Sequence, residues 1–298
     1  MLLQEVLELL SPERGGLYFD GTLGGGGHSE GLLKKGPEAR VIGVDRDGEA
    51  VVAARGRLKP YGARVEIVHE DYANAAVSVA EPLAGALLDL GVSSHQLDEE
   101  SRGFSFRRGT PLDMRMSPES GGRTAADLLN GLTQSELADV FFHYGEERRA
   151  RRLAAAVVKR RERTRFRTAD DLVAVMHAAL GPRLGAQDKA RIFQAVRIAV
   201  NAELSQLERA LPVLRDRLAA RGVLVVIAYH SLEDRVVKVN YREWSRECVC
   251  PPGMPVCTCR GRALGEELTR KPVRPSAAEV AGNVRARSAR LRAWRKAA

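Results

Sequence analysis

The first ninety residues alternate short apolar runs with longer stretches of mixed polarity. Four of the runs predict β-strands, at residues 17–20, 39–45, 64–69 and 83–90. Within each run the apolar residues follow one another with little alternation, which is typical of strands covered on both faces. This rhythm predicts βαβ units around a parallel sheet, the arrangement of a doubly wound, Rossmann-like α/β fold.

The fifth predicted strand comes much later, at residues 222–229. About 130 residues separate it from the fourth strand, far more than the connections usual in α/β units, so we predict an inserted subdomain. Two apolar stripes at helical spacing predict that this insert is helical. The stripes are Leu172, Val175, Met176 and Leu180, and Phe193, Val196, Val200, Leu204, Leu207 and Leu211. We therefore expect a core domain of residues 1–92 and 206–298 and a helical, substrate-recognising insert of residues 93–205.

Further secondary structure is predicted near both ends of the chain. Residues 1–10 predict an amphipathic helix and lack the basic leader of a signal peptide. No apolar run has the length of a membrane span, so we expect a cytoplasmic protein. Residues 268–273 and 289–294 predict two more strands, and arginines alternate with apolar residues in the second, which predicts an open, basic face.

A glycine-rich stretch, GTLGGGG at residues 21–27, lies where the first strand turns into a helix. Glycines let the backbone approach a ligand closely, and a helix amino terminus offers N–H groups, as a nucleotide-like cofactor requires. Asp20 precedes this loop, where it would repel a dinucleotide pyrophosphate but attract the ammonium and sulfonium groups of S-adenosylmethionine. The pattern favours S-adenosylmethionine; the alternative is that Asp20 only forms a turn or caps the helix.

Three more residues follow strand ends, at the edge where open α/β sheets bind ligands. Asp45 lies eighteen residues after Gly27, the spacing at which an acid accepts the ribose hydroxyls, although it could instead cap the next helix. Tyr72 follows the third strand, where it would stack on adenine or form a half-buried loop aromatic. Asp89 ends the fourth strand, and a carboxylate at the end of an apolar strand favours a functional role.

Positive charge is in excess and clustered. The formal net charge is +9, residues 148–167 carry ten Arg or Lys against the single acid Glu162, and residues 285–296 carry six with none. Clusters of this kind favour a polyanionic partner. Each of them could equally be a solvated helix face, and the sequence leaves both readings open.

The four cysteines of the chain, Cys248, Cys250, Cys257 and Cys259, fall in one Pro-rich segment. Such clustering suggests metal ligands, but paired zinc ligands are usually spaced by two or more residues. A disulfide is disfavoured in the cytosol. Reduced thiols and a structural zinc site both stay open, and we assign no metal.

Several motifs together are specific for one family. They are DGTLGGGGHSEGLL, GVDRD, DLGVSSHQLD, PLDMRM, RIFQAVRIAVNAEL, YHSLEDRVVK and RPSAAEV with NVRARSARLR, and they run nearly from end to end. The chain resembles the ribosomal RNA small subunit methyltransferase H family, which methylates the N4 amine of a cytidine in 16S rRNA near the decoding centre. The resemblance implies a class I methyltransferase sheet, S-adenosylmethionine as cofactor, and 16S rRNA or the small ribosomal subunit as partner.

The resemblance also assigns the cofactor contacts. They would fall on Gly26, Gly27, His28, Asp45, Tyr72, Asp89 and Gln96. Without the resemblance, His28 is only a residue of the first helical turn and Gln96 only a loop amide.

Cytosine N4 has a delocalised lone pair, so acceptors for its N–H bonds would make it more nucleophilic. Our candidates are Asp113, in PLDMRM, and His230, just past the fifth strand. Asp113 could instead pair with Arg115 or cap a helix, and His230 could cap the helix that starts at Ser231. Aromatic residues could stack on an extruded base or belong to the core. These are Phe104, Phe106 and Tyr229.

Three rival functions stay open at this point. They are a DNA amino-methyltransferase of the same fold, a non-catalytic RNA-binding assembly factor, and a nicotinamide oxidoreductase. Asp20, Asp45 and Asp89 disfavour the second, because a relict pocket need not keep three carboxylates, and Asp20 disfavours the third. The oligomeric state is left open.

Overall fold

The structure is a computed structural model, and it describes residues 1–254 and 256–298, without the side chains of residues 94 and 95. The chain divides into two units, one of residues 1–91 and 204–298 and the other of residues 92–203. The sequence predicted that the insert begins after residue 92 and ends before residue 206. The first boundary differs from the observed one by one residue and the second by two. Among the described residues, no helix has the length and apolar character needed to cross a membrane.

The first unit is built on a seven-stranded sheet with strand order β3-β2-β1-β4-β5-β7-β6. The strands β1 to β5 pair in parallel, and β7 runs antiparallel to both β5 and β6. This order confirms the doubly wound, Rossmann-like sheet. The strands are β1 Gly16–Asp20, β2 Ala39–Asp45, β3 Val65–His69, β4 Leu83–Asp89, β5 Leu218–Ala228, β6 Gly265–Glu267 and β7 Arg290–Lys296.

Helices connect and cover these strands, and a group of them forms the second unit. In chain order the helices are α1 Leu3–Leu10, α2 Gly27–Lys35, α3 Gly48–Leu58, α4 Tyr72–Ser78, α5 Ser94–Asp98, α6 Ala125–Gly131, α7 Gln134–Asp139, α8 Ala150–Arg161, α9 Ala169–Leu180, α10 Ala186–Asn201, α11 Glu203–Arg217, α12 Ser231–Trp244 and α13 Ala277–Gly282. The helix expected at residues 1–10 is therefore present as α1.

The strands β1, β4 and β5 are apolar on both faces because helices cover both sides of the sheet. One face packs against residues of α4, α11 and α12, including Leu211 and Trp244. The other face packs against α1, α2 and α3, including Leu32 and Leu58. Consecutive residues of β5, such as Val225 and Val226, are therefore both buried although they point to opposite faces.

The carboxyl-terminal strands differ from the prediction. The strand expected at 268–273 is absent from the described residues there, apart from an isolated bridge between Val273 and Leu291, and β6 lies just before it. Pro272 has no N–H group to continue a ladder at this point. The open basic face was also predicted wrongly, because Arg292 is only 4% exposed and its guanidinium binds Asp234 of α12.

The insert is helical, as expected, and has its own apolar core. The stripe predicted on α9 is buried, which confirms it: Leu172, Val175, Met176 and Leu180. The second stripe does not lie on one helix. Ala202 adopts a left-handed conformation with φ of 51°, which ends α10 before α11 begins.

Candidate cofactor-binding site

Three carboxylates stand at one edge of the sheet because three neighbouring parallel strands end in aspartate. Asp20 is the last residue of β1, Asp45 of β2 and Asp89 of β4. The β1 strand pairs with both of the others, so all three carboxyl ends lie at the same edge. The sequence predicted this grouping correctly, because the runs at 17–20 and 39–45 end in aspartate and Asp89 is the next-to-last residue of the run at 83–90.

The glycine loop between β1 and α2 folds tightly over this edge. Gly24 and Gly26 have φ of 50° and 79°, a left-handed conformation that other residues seldom adopt. Gly26 is the residue before the first turn of α2, and no side chain caps that helix. The first N–H groups of α2 therefore lie next to the loop, as the sequence predicted.

Asp45 fastens the loop to the end of β2. Its Oδ2 accepts a hydrogen bond from the Gly24 N–H at 2.7 Å, and its Oδ1 accepts one from the Asp47 N–H at 2.9 Å. Asp47, not Asp45, caps α3 by accepting from the Glu49 N–H, so the capping alternative for Asp45 was wrong. Burial raises the pKa of Asp45 above its ordinary value, and the two N–H donors only partly oppose this.

Asp20 is more deeply enclosed, with 1% of its surface exposed. It accepts a hydrogen bond from the Ser29 hydroxyl at 2.7 Å and one from the Thr22 N–H at 3.3 Å. Burial raises the pKa of Asp20, while His28 and Ser29 act in the opposite direction. The carboxylate thus forms a turn and ties the loop to α2, and its attraction for a cationic ligand stays a prediction.

Asp89 is held from three sides. Its Oδ1 accepts the hydroxyl hydrogen of Tyr229 at 2.8 Å, and its Oδ2 lies 3.7 Å from Nδ1 of His28. The backbone N–H of Asp89 donates to Oγ1 of Thr22 at 2.6 Å. Burial, together with the Asp89 charge, raises the pKa of Tyr229 well above the ordinary range, so the phenol stays a donor. The structure therefore brings His28 and Asp89 together.

Neither Thr22 nor Tyr229 was predicted to contact Asp89. Tyr229 follows directly on β5, which pairs with β4 so that Asp89 is opposite Ile227. This pairing of neighbouring strand ends was the available signal. From the sequence, Tyr229 was expected either to stack on an extruded base or to belong to the core.

Tyr72 begins α4, whose cap is Asp71. The Tyr72 side chain is partly buried against the core, as in one of the two readings of the sequence. The Cβ atom of Tyr72 lies close to the glycine loop. If Gly21 carried a Cβ atom, that atom would lie only 2.9 Å from the Cβ of Tyr72. Tyr72 therefore borders the glycine loop, and its stacking on adenine stays a prediction.

A comparison with known protein families identifies the family of the chain. The model of the MraW methylase family matches residues 1–297.

The chain belongs to the MraW methylase family. It is 54% identical to the ribosomal RNA small subunit methyltransferase H of Gemmatimonas aurantiaca, over 100% of this chain and 94% of that protein. It is 48% identical to the protein of the same name from Geotalea uraniireducens, over 98% and 96%. The relative from Heliobacterium modesticaldum is 47% identical, over 99% and 97%. The family resemblance inferred from the motifs is confirmed, and the chain is a methyltransferase by family.

Gln96 lies in the insert, on α5, and is 6% exposed. Its Oε1 accepts the Ser93 N–H at 2.9 Å, and its own N–H donates to the Ser93 hydroxyl at 3.1 Å. The amide therefore contributes to a local turn in this methyltransferase, and its contact with a cofactor stays a prediction.

Asp113 also lies in the insert, in the motif PLDMRM. It forms a two-pronged ion pair with Arg115, at 2.9 and 2.7 Å, which confirms the pairing alternative. Partial burial acts to raise the pKa of Asp113, but Arg115 outweighs it and the pKa is lowered. Asn201 fixes the segment, because it accepts from the Met116 N–H and donates to the Met114 carbonyl.

His230 caps α12, which confirms the alternative given for it. Its Nδ1 accepts the Glu233 N–H at 3.3 Å, and its Nε2 lies 3.2 Å from Oε1 of Glu233. The Glu233 carboxylate in turn accepts the N–H groups of Tyr229 and His230. Nδ1 is therefore occupied by the cap, whereas Nε2 lies close to the Glu233 carboxylate without a hydrogen bond to it.

The basic cluster at 148–167 contains two kinds of arginine. Arg160 binds Asp171 and lies over the Phe166 ring, and Arg161 donates to the Leu129 and Leu132 carbonyls. These two hold the insert together. Others in the cluster are exposed: Arg151, Arg152, Arg163, Arg165 and Arg167.

Proposed function

We propose that this methyltransferase transfers a methyl group from S-adenosylmethionine to the N4 amine of a cytidine in 16S rRNA near the decoding centre. Relatives covering nearly the whole chain at 47% to 54% identity are named ribosomal RNA small subunit methyltransferase H, which supports the RNA substrate. The choice of N4 is what the family resemblance implies, and the motifs DLGVSS, PLDMRM and HSLEDR carry that resemblance. An enzyme with this substrate would act in the cytoplasm, on 16S rRNA or the small ribosomal subunit.

The residues at the sheet edge fit this cofactor. A Cβ added at Gly25 would meet no described atom within 4 Å, so the loop leaves open space beside it. The surrounding side chains supply carboxylates, which suit a ligand that carries an ammonium, a sulfonium and two hydroxyls. A nicotinamide cofactor is disfavoured because Asp20, at the end of β1, would repel a pyrophosphate over this loop.

The residues that would hold the cofactor have distinct tasks. Asp45 would accept the ribose hydroxyls while keeping its bond to Gly24, and Tyr72 would border the adenine. Asp89, oriented by Tyr229, would face the methionine end together with His28. The full proposed set is Gly26, Gly27, His28, Asp45, Tyr72, Asp89 and Gln96.

The cofactor, when bound, supplies a methyl group on a positively charged sulfur. Methyl transfer needs an in-line approach of the amine, so the main contribution of the chain is alignment. The fixed position of Asp89 serves this alignment, because Tyr229, Thr22 and His28 all restrict it. Asp113 and His230 stay the candidates for accepting the N–H bonds of the amine. Each has a partner within the chain, since both oxygens of Asp113 pair with Arg115 and Nδ1 of His230 caps α12.

The single observation that carries the proposal is the restrained Asp89 carboxylate beside the glycine loop. The test is transfer of radiolabelled methyl groups to small ribosomal subunits that lack their native modifications, followed by mass spectrometry of the nucleosides. We expect N4-methylcytidine from the wild type and its loss in Asp89→Ala. The matched control is Asp139→Ala, an exposed aspartate of the insert, which should leave the yield unchanged.

Two other results would favour a different function. Label on naked DNA but not on the subunits would identify a DNA amino-methyltransferase. Binding to the subunits without any label, by protein that also binds S-adenosylmethionine, would leave the fold and cofactor but favour an assembly factor.

A further inference from the structure

The segment that joins α12 to β6 is unusually long for a connection in this fold. Among its described residues, 245–254 and 256–264, none belongs to a helix or strand. Connections of this length without structure of their own are uncommon in compact domains unless something else orders them. All four cysteines of the chain lie in this segment.

The four thiol sulfurs converge on one point. The Sγ atoms of Cys257 and Cys259 are 3.5 Å apart, and those of Cys248 and Cys257 are 3.8 Å apart. The separations from Cys250 to Cys257 and from Cys259 to Cys248 are both 3.9 Å. A disulfide requires about 2.05 Å, so the sulfurs are not bonded in pairs.

These separations are those of a metal-centred tetrahedron. Zinc binds thiolate sulfur at about 2.3 Å, and four such ligands in tetrahedral geometry have sulfurs about 3.8 Å apart. All four ligand atoms of this cluster lie within 4.8 Å of one another. In the sequence, zinc was disfavoured because only one residue separates the cysteines of each pair. The structure shows that this spacing is compatible with a tetrahedron, because the sulfurs of Cys257 and Cys259 are separated by about the length of one of its edges.

We propose that Cys248, Cys250, Cys257 and Cys259 bind one Zn²⁺ ion as a structural site. Four thiolates suit a borderline-soft ion without geometric preference of its own, and they leave no position open for water or substrate. The site is therefore separate in chemistry from methyl transfer.

Backbone groups support the sulfurs as they do around metal-bound thiolates. The Val249 N–H donates to Sγ of Cys259 at 3.3 Å, and the Gly261 N–H also faces this sulfur. The Cys259 N–H faces Sγ of Cys257. Such donors stabilise the negative charge that four thiolates and one divalent ion retain.

The proposed ion would fasten the segment onto the core unit. Arg260, next to Cys259, binds Oε1 of Glu243 at 2.7 Å and also the Glu243 carbonyl, in the last turn of α12. The Leu264 N–H donates to the Trp244 carbonyl at 2.8 Å. The metal would close the loop between these anchors and so fix the entry into β6, the edge strand of the sheet.

The test is the metal content of the full chain, purified in reducing buffer and dialysed against a weak chelator. Elemental analysis should give one zinc per chain. Replacement by Co²⁺ should give the intense visible bands of tetrahedral tetrathiolate cobalt, together with sulfur-to-metal charge transfer in the near ultraviolet. Cys248→Ser and Cys257→Ser, one from each pair, should lose the zinc and these bands, whereas Val256→Ala, an exposed neighbour, should keep both.

The wild-type spectrum keeps the test decisive even if a serine variant fails to fold. Chelated wild-type protein that remains folded by circular dichroism, yet gives no tetrahedral thiolate bands with Co²⁺, would overturn the proposal. Zinc that is present but equally retained by Cys248→Ser and Cys257→Ser would overturn it as well. Neither readout depends on methyl transfer, so the result is independent of the proposed function.

Discussion

Tyr229 donates its hydroxyl hydrogen to Oδ1 of Asp89 at 2.8 Å, and this bond joins the ends of two neighbouring strands. Asp89 ends β4, and Tyr229 directly follows β5. The phenol cannot easily lose its proton, because burial raises its pKa, so its role is to orient the carboxylate. The orientation of Asp89 in the candidate site therefore depends on Tyr229, whose side chain is neutral.

Replacing Tyr229 by phenylalanine tests this relationship. The change removes one hydrogen bond to a charged group, which contributes about 1.5 to 3 kcal/mol. We expect Tyr229→Phe to weaken S-adenosylmethionine binding by about tenfold or more, measured by calorimetry. Tyr144→Phe, in the insert, is the control. Equal loss of affinity in both variants would contradict a specific role for the Tyr229 hydroxyl.

Asp20 makes stability depend on pH in an unusual direction. Burial raises its pKa above the ordinary value of 3.8, so above pH 3.8 the folded protein keeps a proton that the unfolded chain has released. The free energy of unfolding therefore falls as pH rises through this window. We expect Asp20→Asn, which stays neutral, to gain stability relative to the wild type from acid to neutral pH, as measured by urea unfolding.

The matched control for this change is Asp139→Asn, at an exposed position of the insert. It should show no such trend. If the stability of Asp20→Asn relative to the wild type fell between acid and neutral pH, Asp20 would be stabilising as a charged group, and burial would not dominate.

Arg292 is a structural residue and not part of an exposed basic face. It pairs with Asp234 at 2.6 Å, and both side chains are largely buried. Removing one partner of a buried pair costs about 3 to 5 kcal/mol because the other charge is left alone. Arg290 lies 3.7 Å from the same carboxylate and offsets part of this. We expect Arg292→Met to lower the free energy of unfolding by about 2 to 3 kcal/mol in urea titrations.

Two further variants sharpen this prediction. The double variant Arg292→Met with Asp234→Leu should recover most of the stability, because no charge is then left buried. Arg287→Met, at an exposed position of the same cluster, should unfold like the wild type. A double variant no more stable than Arg292→Met alone would show that packing, and not charge, explains the loss.

The exposed arginines of the insert are the ones we expect to contact RNA. Replacing Arg163, Arg165 and Arg167 together by alanine should weaken binding to small ribosomal subunits. It should also reduce the slope of log affinity against log salt by about one for each phosphate that the variant no longer neutralises. Affinity for S-adenosylmethionine should not change. The measurement is subunit binding over a series of salt concentrations, with calorimetry for the cofactor.

A variant with the same change of charge elsewhere is the control. Replacing Arg270, Lys271 and Arg274, all exposed in the first unit, should leave the salt slope nearly unchanged. If both triple variants weaken binding equally, the net charge of the chain explains RNA binding better than the insert does. Arg160→Ala should instead reduce stability, because Arg160 binds Asp171.

The sequence predicted the sheet and its acidic edge because both depend on local patterns. Long apolar runs mark buried strands, and an aspartate at or next to the end of each run marks the strand end, which located Asp20, Asp45 and Asp89. The pairing of Tyr229 with Asp89 depends on which strands are neighbours, and that is a property of the whole sheet.

The failures have equally definite causes. Alternation within 289–294 indicates two faces but does not reveal that α12 covers the face of Arg292. Alanine favours helices, so nothing in the sequence marks Ala202 as the break between α10 and α11. Asp45 and Asp47 lie two residues apart, and only the backbone path shows that the second one is the cap.

Substitutions of His230 can distinguish its role as a helix cap from a role in catalysis. Asparagine is a good cap, so His230→Asn should retain the free energy of unfolding, whereas His230→Ala should lose about 1 kcal/mol. Because Nδ1 serves as the cap, we expect His230→Asn also to retain most of the methyl transfer, which would leave Asp113 as the candidate acceptor. If His230→Asn were as stable as the wild type but lost kcat with an unchanged KM, the imidazole itself would act on the amine. Urea unfolding and steady-state kinetics on the same three proteins decide between these roles.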